Sequence, residues 1–598
     1  MCGILAVVSG GGPLDVSSCR RALSALSWRG PDRCVSSVWD DRVFLGQTVL
    51  SLTGTIADST GRHASSVSGR YAVAYNGEIY NFRQLAAQWL SDRLQTDGNT
   101  TDTEILANLH EVLPPEGIPE RLDGMFAYVV FDRQLRRLYV CRDVQGEKSL
   151  YLHQTGEAMV IASEIPAIRA LAGAGDFDRQ VFRDYFRTRH LMLFDRTVFT
   201  DVRELEPGCL EAVDLTTGEW ARIGKRSLAD WIDPVRFEAN RHRPIDDLAD
   251  ELEAILVSCL KEMRPEGRRF AAVVSGGVDS SLIAYYLVRD AEPDHLVAVD
   301  HIGKDRISSD LSGFEEVLGR PIDVLRVNEV PFSAEIARCQ HHCGSPLPAH
   351  SFVPQSLQSA RVRASGCRVI FGGEGGDEFF GGYEAYLRQV EPGRRFSPSP
   401  YTACDPPEVE FADDNPGRIE QVLAGAWARS IDVYAFVEDL AERLSLAQMY
   451  CDGAYQLATV GLRGADLMSM MWSVEARAVL VRRPVLEFAL NLPLAARIDP
   501  AAPDPALRTK VLLKRLFLRH YPARLLVEKQ GFAGFPNESA AYLGASADYL
   551  IYDVLGMRPP DPSRPWGRSV HWKVTNVEYF LRSLPEFVRG PVHAGRSA

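Results

Sequence analysis

Residues Val273–Ser281 read Val-Val-Ser-Gly-Gly-Val-Asp-Ser-Ser, behind an apolar run, Phe270–Val274, and ahead of an apolar helix-like segment, Leu282–Val288. A strand, a glycine turn and a helix in that order make a phosphate cradle. Gly276 and Gly277 let the backbone approach an anion closely. The amides of the turn and of the helix N-terminus then point at it. The candidate contacts to a nucleotide's pyrophosphate are Val274, Ser275, Gly276, Gly277, Val278, Ser280 and Ser281, with the serines adding hydroxyl donors. Asp279 would repel phosphate unless a cation lies between them, which points to ATP with Mg²⁺. No lysine follows the glycines, so this is not the P-loop pattern.

A second acidic turn follows another strand-like run, Cys367–Phe371: Gly372-Gly373-Glu374-Gly375-Gly376-Asp377-Glu378. The glycine content argues for an open turn rather than a packed helix. Asp279 and Asp377, at the ends of neighbouring strands, would clamp one ion together with substrate phosphates. Ligands of open α/β sheets bind outside the carboxyl ends of the strands.

On Ser275–Ser280 and Gly373–Glu378 the chain resembles the asparagine-synthetase family, with its pyrophosphatase-type α/β fold. The resemblance implies that ATP activates a carboxylate as an acyl-adenylate, pyrophosphate leaves, and an amine displaces AMP. It implies Mg²⁺ on Asp279 and Asp377, nucleotide contacts at Gly372 and Gly373, and Val299, on the strand Leu296–Val299, beside adenine. Glu374 is a catalytic candidate of the second turn. Lys529, in Val-Glu-Lys-Gln-Gly-Phe, matches a family lysine near the phosphates and the reacting carbonyl, where a cation stabilises both charges. Lys510 and Lys514 lie on a basic segment upstream, and Lys510 joins the ATP-binding candidates.

The amino end reads Met-Cys-Gly-Ile-Leu-Ala-Val-Val. If Met1 is removed, Cys2 carries a free α-amine (pKa about 8) that can act as base for its own thiol. Trp28–Asp32, Tyr75–Asn81, Thr101–Glu104 and Asp123–Ala127 resemble class II glutamine amidotransferase motifs, and Arg142-Asp143 and Ala162–Glu164 extend the match. Asn76-Gly77 is a tight-turn signal. By resemblance Asn76 and Gly77 supply an oxyanion hole, Asp102 binds the glutamine amine, and Glu78 lines the same site.

Two departures stand out. The family carries an arginine for the glutamine α-carboxylate in Arg-Leu-Ser-Ile; the matching segment here is Val49-Leu50-Ser51-Leu52. Val49 cannot pair with a carboxylate, and the nearest upstream arginine, Arg42, starts the strand. In the second half, Ser473–Arg477 matches, but Ala478–Pro484 replaces Val-Pro-Phe-Leu-Asp, with Arg482 in place of an acid. That region flanks the family's acyl-acceptor pocket, so the change suggests an acid other than free aspartate.

The elements that position these residues divide the chain. Short strands at Val43–Leu50, Tyr71–Asn76, Ala127–Asp132 and Arg137–Cys141 predict an antiparallel sandwich, closed near Glu204–Trp220 with a Cys209–Val213 strand. By resemblance this α+β domain, residues 1–233, is of the N-terminal-nucleophile amidotransferase type. Pro234–Pro244 reads as a linker. Ile245–Met263 is apolar at helical spacing and opens an α/β parallel-sheet ATP-pyrophosphatase domain, residues 245–598. Residues 391–415, proline-rich and polar, read as an exposed or disordered insertion.

At 598 residues the chain suits two or three domains. A net charge of −13 gives no reason to expect nucleic acid or an anionic membrane surface as partner. No apolar run of about 20 residues and no basic amino-terminal region predict a span or signal peptide. Eleven scattered cysteines suit a reducing compartment, hence the cytoplasm. Cys339-Gln340-His341-His342-Cys343 lacks a second ligand pair and reads as a helical surface segment rather than a zinc site.

Three functions are compatible with these motifs. The two departures favour an adenylating ligase independent of glutamine. Lasso-peptide cyclases and β-lactam-forming synthetases are relatives of this kind. A lasso cyclase closes a macrolactam from a peptide's side-chain carboxylate and its own amine, with a leader-peptide-binding protein and a leader protease as partners. The second function is a glutamine-dependent synthetase acting on aspartate or another small carboxylic acid. The third is an ATP-binding scaffold that has lost catalysis.

Overall fold

The computed structural model describes residues 2–52, 64–94, 100–300 (without 157 and 174), 311–326, 332–390, 401, 404, 409–411, 417–526, 543, 548–559 and 567–584. Two six-stranded antiparallel sheets build the amino-terminal half. In the first, the strands run in the order Val202–Glu204, Tyr151–Gln154, Ala158–Ala162, Cys2–Ser9, Val43–Val49, Arg33–Trp39. In the second, the order is Trp220–Lys225, Cys209–Asp214, Arg137–Arg142, Gly124–Asp132, Tyr71–Ile79, Ala64–Ser65.

The sheets face each other across Ile4, Ala6, Val43, Leu45, Ala72, Ala74, Ala127 and Val129. Strand alternation sends the intervening residues outward, where Leu5, Val7 and Phe44 meet the helices Val16–Ser24, Ile165–Ala172 and Arg179–Arg187. On the far side Phe82–Trp89 and Asp102–Val112 cover Val73, Tyr75 and Tyr128. The expected antiparallel sandwich is thus the centre of a four-layer arrangement.

The second half is a five-stranded parallel sheet, ordered Asp323–Arg326, His295–Asp300, Phe270–Val273, Val369–Gly372, Glu475–Ala478. The chain moves outward from Phe270–Val273 in one direction, then returns to add Val369–Gly372 on its other side. That reversal puts the carboxyl ends of these two strands at the topological switch point. Both glycine turns leave from there.

Several expectations change. Asn76-Gly77 is not a turn; it lies inside the strand Tyr71–Ile79. A β-carbon at Gly77 would collide with the Met125 carbonyl of the neighbouring strand, so the glycine serves close approach rather than chain reversal. Pro234–Pro244 is mostly helix (Pro234–Arg241), capped by Asp233, with Phe237 buried and Asn240 donating to the Asn491 carbonyl at 3.0 Å. Gly376–Phe380 closes into a short helix because Gly375, at φ 93°, starts it in a conformation other residues avoid. Cys339 and Cys343 belong to the helix Phe332–Cys343 as expected, but they are buried rather than at the surface. Within 391–415, Val409 and Phe411 are buried, and the Phe411 ring lies 5.7 Å from Phe186. The rest of that stretch falls mainly outside the described residues.

No helix among the described residues is long and apolar enough to cross a membrane.

Candidate active site

The first glycine turn is held open toward solvent. Ser275 and Gly277 are exposed, and Gly276 has φ 77°. The Ser280 hydroxyl accepts from the Ser275 amide at 3.1 Å and shares a 2.7 Å hydrogen bond with the Ser275 hydroxyl. Ser275 in turn accepts from the Gly277 amide at 3.3 Å. Two of the three serines therefore brace the turn. Ser281 is fully buried and does not reach the exposed face. Val274 and Val278 are buried supports, and Asp279 occupies the first turn of the helix Val278–Asp290.

The second turn packs directly on the first. A β-carbon at Gly376 would lie 2.5 Å from the Asp279 carboxyl carbon, and one at Gly373 would lie 2.9 Å from Asp279 Cβ. Glycine at these positions brings Asp279 beside Asp377. Between them sits the Lys510 ammonium, 2.6 Å from Asp377 Oδ1 and also bonded to Asp279 Oδ2. Burial works against the Lys510 charge, but the two carboxylates more than offset it and hold the amine protonated. Lys510 begins the helix Val511–His520 with φ 51°, a strained value for a residue with a side chain.

One turn further on, Lys514 is buried and donates to Thr509 Oγ1 at 2.8 Å. Burial, aided by the Lys510 charge, pushes its amine down to about 8. Glu374 folds back over Gly372, and burial with the nearby Asp279 charge raises its carboxyl. Glu378 is buried and accepts from the Tyr383 hydroxyl at 2.6 Å. Val299 is at the carboxyl end of its strand, partly buried. Lys529 lies outside the described residues.

The amino-terminal site forms where the first sheet meets the second. The Cys2 amide donates to Asn76 Oδ1 at 3.1 Å, and both residues are buried. Asn76 Nδ2 is buried with no hydrogen-bond partner among the described residues, a donor available to a developing oxyanion. Asp102, in the first turn of its helix, accepts from Ile79 N at 3.1 Å and Thr103 N at 2.8 Å. Burial raises its carboxyl in spite of these amides.

Ion pairs join the two halves. Arg29 donates to the Cys2 carbonyl at 3.1 Å, to Glu164 at 2.8 Å, and to both oxygens of Asp466. Lys148 meets Asp466 at 2.8 Å. Arg477 pairs with Glu475 at 2.6 Å and with Glu78 at 3.5 Å. Arg482 is buried; it bonds Asp123, lies 2.9 Å from Glu262, and covers the Tyr80 ring at 4.3 Å. This corrects the reading of Arg482 as a change in the acceptor pocket. Its partners are residues of the first half and of the helix Ile245–Met263, so its charge docks the halves.

Sequence reasoning missed Arg29, Lys148 and Asp466 as a unit, since Arg29 and Asp466 are 437 positions apart. The Lys510 bridge between Asp279 and Asp377 had no signal beyond the basic segment on which Lys510 lies. Among the described residues there is no cluster of three metal-ligating side chains of the His, Cys, Asp and Glu types.

An antiparallel amidotransferase-type half joined to a parallel-sheet half with two glycine turns at its switch point defines a two-site enzyme class. Residues 1–221 match the glutamine amidotransferase domain family, and residues 251–563 match the asparagine synthase family. The chain belongs to the asparagine synthase family, a family of ATP-dependent carbon–nitrogen ligases.

Among curated relatives, a "probable asparagine synthetase [glutamine-hydrolyzing]" of Acanthamoeba polyphaga mimivirus is 27% identical over 410 residues, covering 66% of this chain and 70% of the relative. Glutamine-hydrolyzing asparagine synthetase 2 of Bacillus subtilis is 24% identical, covering 65% of this chain and 53% of its own length. Glutamine-hydrolyzing asparagine synthetase 1 of Saccharomyces cerevisiae is 25% identical, covering 62% of this chain and 63% of its own length. The chain thus spans between about half and 70% of these relatives. Among solved structures, a glutamine phosphoribosylpyrophosphate amidotransferase from B. subtilis matches 55% of this chain and 91% of its own at a TM-score of 0.28 and 16% identity.

Proposed function

We propose that this protein is an AMP-forming amide ligase whose nitrogen comes from glutamine. The observation that carries the ligase reading is the convergence of Asp279 and Asp377 on one cation, beside an exposed glycine turn at the switch point of a parallel sheet. In this reading the turn binds ATP, a carboxylate oxygen attacks the α-phosphorus, and pyrophosphate leaves. An amine nitrogen then attacks the acyl carbon and AMP leaves.

The two carboxylates fit a divalent ion, because they already share a positive charge and offer only oxygen donors, as Mg²⁺ requires. Asp279 and Asp377 would hold the ion. When bound there, Mg²⁺ would neutralise charge on the departing pyrophosphate. Lys510, released from the pair, would remain within reach of the same phosphates, and their charge would favour the protonated form of Lys514.

The glutamine reading is supported by Cys2 on Asn76, by the Asn76 Nδ2 donor that has no partner among the described residues, and by Asp102. The acid proposed first is aspartate, on the names of the relatives. Release of AMP and pyrophosphate from Mg-ATP with aspartate and ammonium chloride tests the ligase, with Asp377→Ala as the variant expected to lose it. Release of ADP and phosphate instead would reject it.

A second reading, closure of a peptide macrolactam without glutamine, is favoured by Val49 alone, since the Arg482 departure belongs to domain docking. It requires a peptide carboxylate to drive AMP release when free acids do not, and activity that survives Cys2→Ala. In that case the leader-binding protein and protease become the expected partners.

A further inference from the structure

The first sheet sets three residues in one row. Cys2 is paired with Val49, and Val49 is paired with Arg33 on the next strand. Residues paired across antiparallel strands point to the same face. That face is the one between the sheets: Ile4 and Val43 lie in the inter-sheet core, and Trp39, which alternates in phase with Arg33, has its ring 5.7 Å from Phe131 of the second sheet. Arg33 is therefore on the Cys2 side of the sheet, two strand spacings away, about 10 Å between Cα atoms.

Arg29, Gln47 and Arg42 do not compete for an anion at this row. Arg29 is taken by Glu164, Asp466 and the Cys2 carbonyl. Gln47 accepts from the Tyr75 amide at 3.3 Å. Arg42 begins at the opposite end of Val49's strand, roughly 20 Å along it. Arg33 differs: its Nε is buried with no hydrogen-bond partner among the described residues, and no carboxylate among them pairs with it. A half-buried guanidinium with a desolvated, unanswered donor is poised for an anion.

We infer that Arg33 binds the carboxylate of the amide substrate attacked by Cys2, so that the site selects a short ω-amido acid carrying a free α-carboxylate. The anchor has moved one strand outward, and Val49 lies beneath the substrate's methylene chain. This deepens the reading of Cys2 as an amide-hydrolysing nucleophile and rests on it. The step balances as Cys2 Sγ attacking the amide carbon, ammonia leaving, and water cleaving the thioester to the free acid.

The test measures ammonia release by the full-length protein from L-glutamine and from L-glutaminamide, which lacks the carboxylate, for wild type, Arg33→Gln, Arg33→Lys and Arg368→Gln. Arg368 is the alternative cation, lying 3.7 Å from Asp32 at the start of the same strand segment. The expected result is a KM for glutamine raised about tenfold or more in Arg33→Gln, with kcat held, an intermediate value in Arg33→Lys, and little change for glutaminamide. A KM in Arg33→Gln within about twofold of wild type, or a rise in Arg368→Gln instead, overturns the Arg33 assignment while leaving Cys2 hydrolysis standing. No ammonia from glutamine in the wild type overturns the Cys2 reading and the assignment with it.

Discussion

Arg29 and Asp466 form a two-pronged ion pair, at 3.1 and 2.8 Å, with both side chains shut away from solvent. Arg29 also holds the Cys2 carbonyl, so a carboxylate of the parallel-sheet half helps fix Cys2, the proposed nucleophile. Removing one member of a buried pair costs about 3–5 kcal/mol, because the other charge is left without an answer. Asp466→Ala is expected to lower thermal stability by an amount of that order and to reduce glutamine hydrolysis, although residue 466 lies in the synthetase half. Calorimetry together with glutaminase assays checks both; a stability loss with unchanged hydrolysis would separate the pair from the site.

Arg482 supplies a contrasting case. It is buried against Asp123, Glu262 and Tyr80. Arg482→Ala is expected to destabilise the protein by about 3–5 kcal/mol. Its KM for the acid substrate in the ammonium-dependent reaction is expected to stay at the wild-type value. A change in acid preference without loss of stability would restore the residue to the acceptor pocket.

The Lys510 clamp predicts a metal dependence. Lys510→Met removes the ammonium that bridges Asp279 and Asp377, so the melting temperature is expected to fall in chelator. Millimolar Mg²⁺ should then raise the variant's melting temperature more than the wild type's, because the ion replaces the missing ammonium. Equal shifts in both proteins would count against a shared cation site.

His110 predicts an acid sensitivity. It sits on the Asp102 helix among Tyr71, Tyr128 and Tyr139, and neither ring nitrogen has a hydrogen-bond partner among the described residues. Burial pushes its imidazole down to about 3, from an ordinary value of 6.5. Between those values the unfolded chain binds a proton that the folded chain refuses. Stability from this group is therefore complete above pH 6.5 and declines as pH falls, by up to about 1.4 kcal/mol per pH unit. Denaturant melts of His110→Phe between pH 4 and 7 should show a shallower decline than wild type. An unchanged slope would mean that the ring finds a partner when charged.

Much of the site was legible because glycine spacing reports on backbone contact. Gly373 and Gly376 are needed where the second turn touches Asp279, and that local requirement is written in the motif itself. Asn76-Gly77 reads as a turn but lies inside a strand, since a glycine demanded by a neighbouring strand looks the same as one demanded by a turn. The Pro234–Arg241 helix was hidden because proline suits a first helical turn as well as a linker. Arg33 and Asp466 had no local signal at all. Their placement depends on strand register and on the docking of distant segments, which periodicity does not encode.

The most direct measurement supplies the full-length protein with Mg-ATP and aspartate, with either ammonium chloride or glutamine as nitrogen donor, and follows AMP, pyrophosphate and asparagine in wild type and Cys2→Ala. The account predicts AMP and asparagine in equal amounts with both donors for the wild type, and with ammonium alone for Cys2→Ala. Formation of ADP in place of AMP, product with ammonium but none with glutamine in the wild type, or no product with either donor would contradict it.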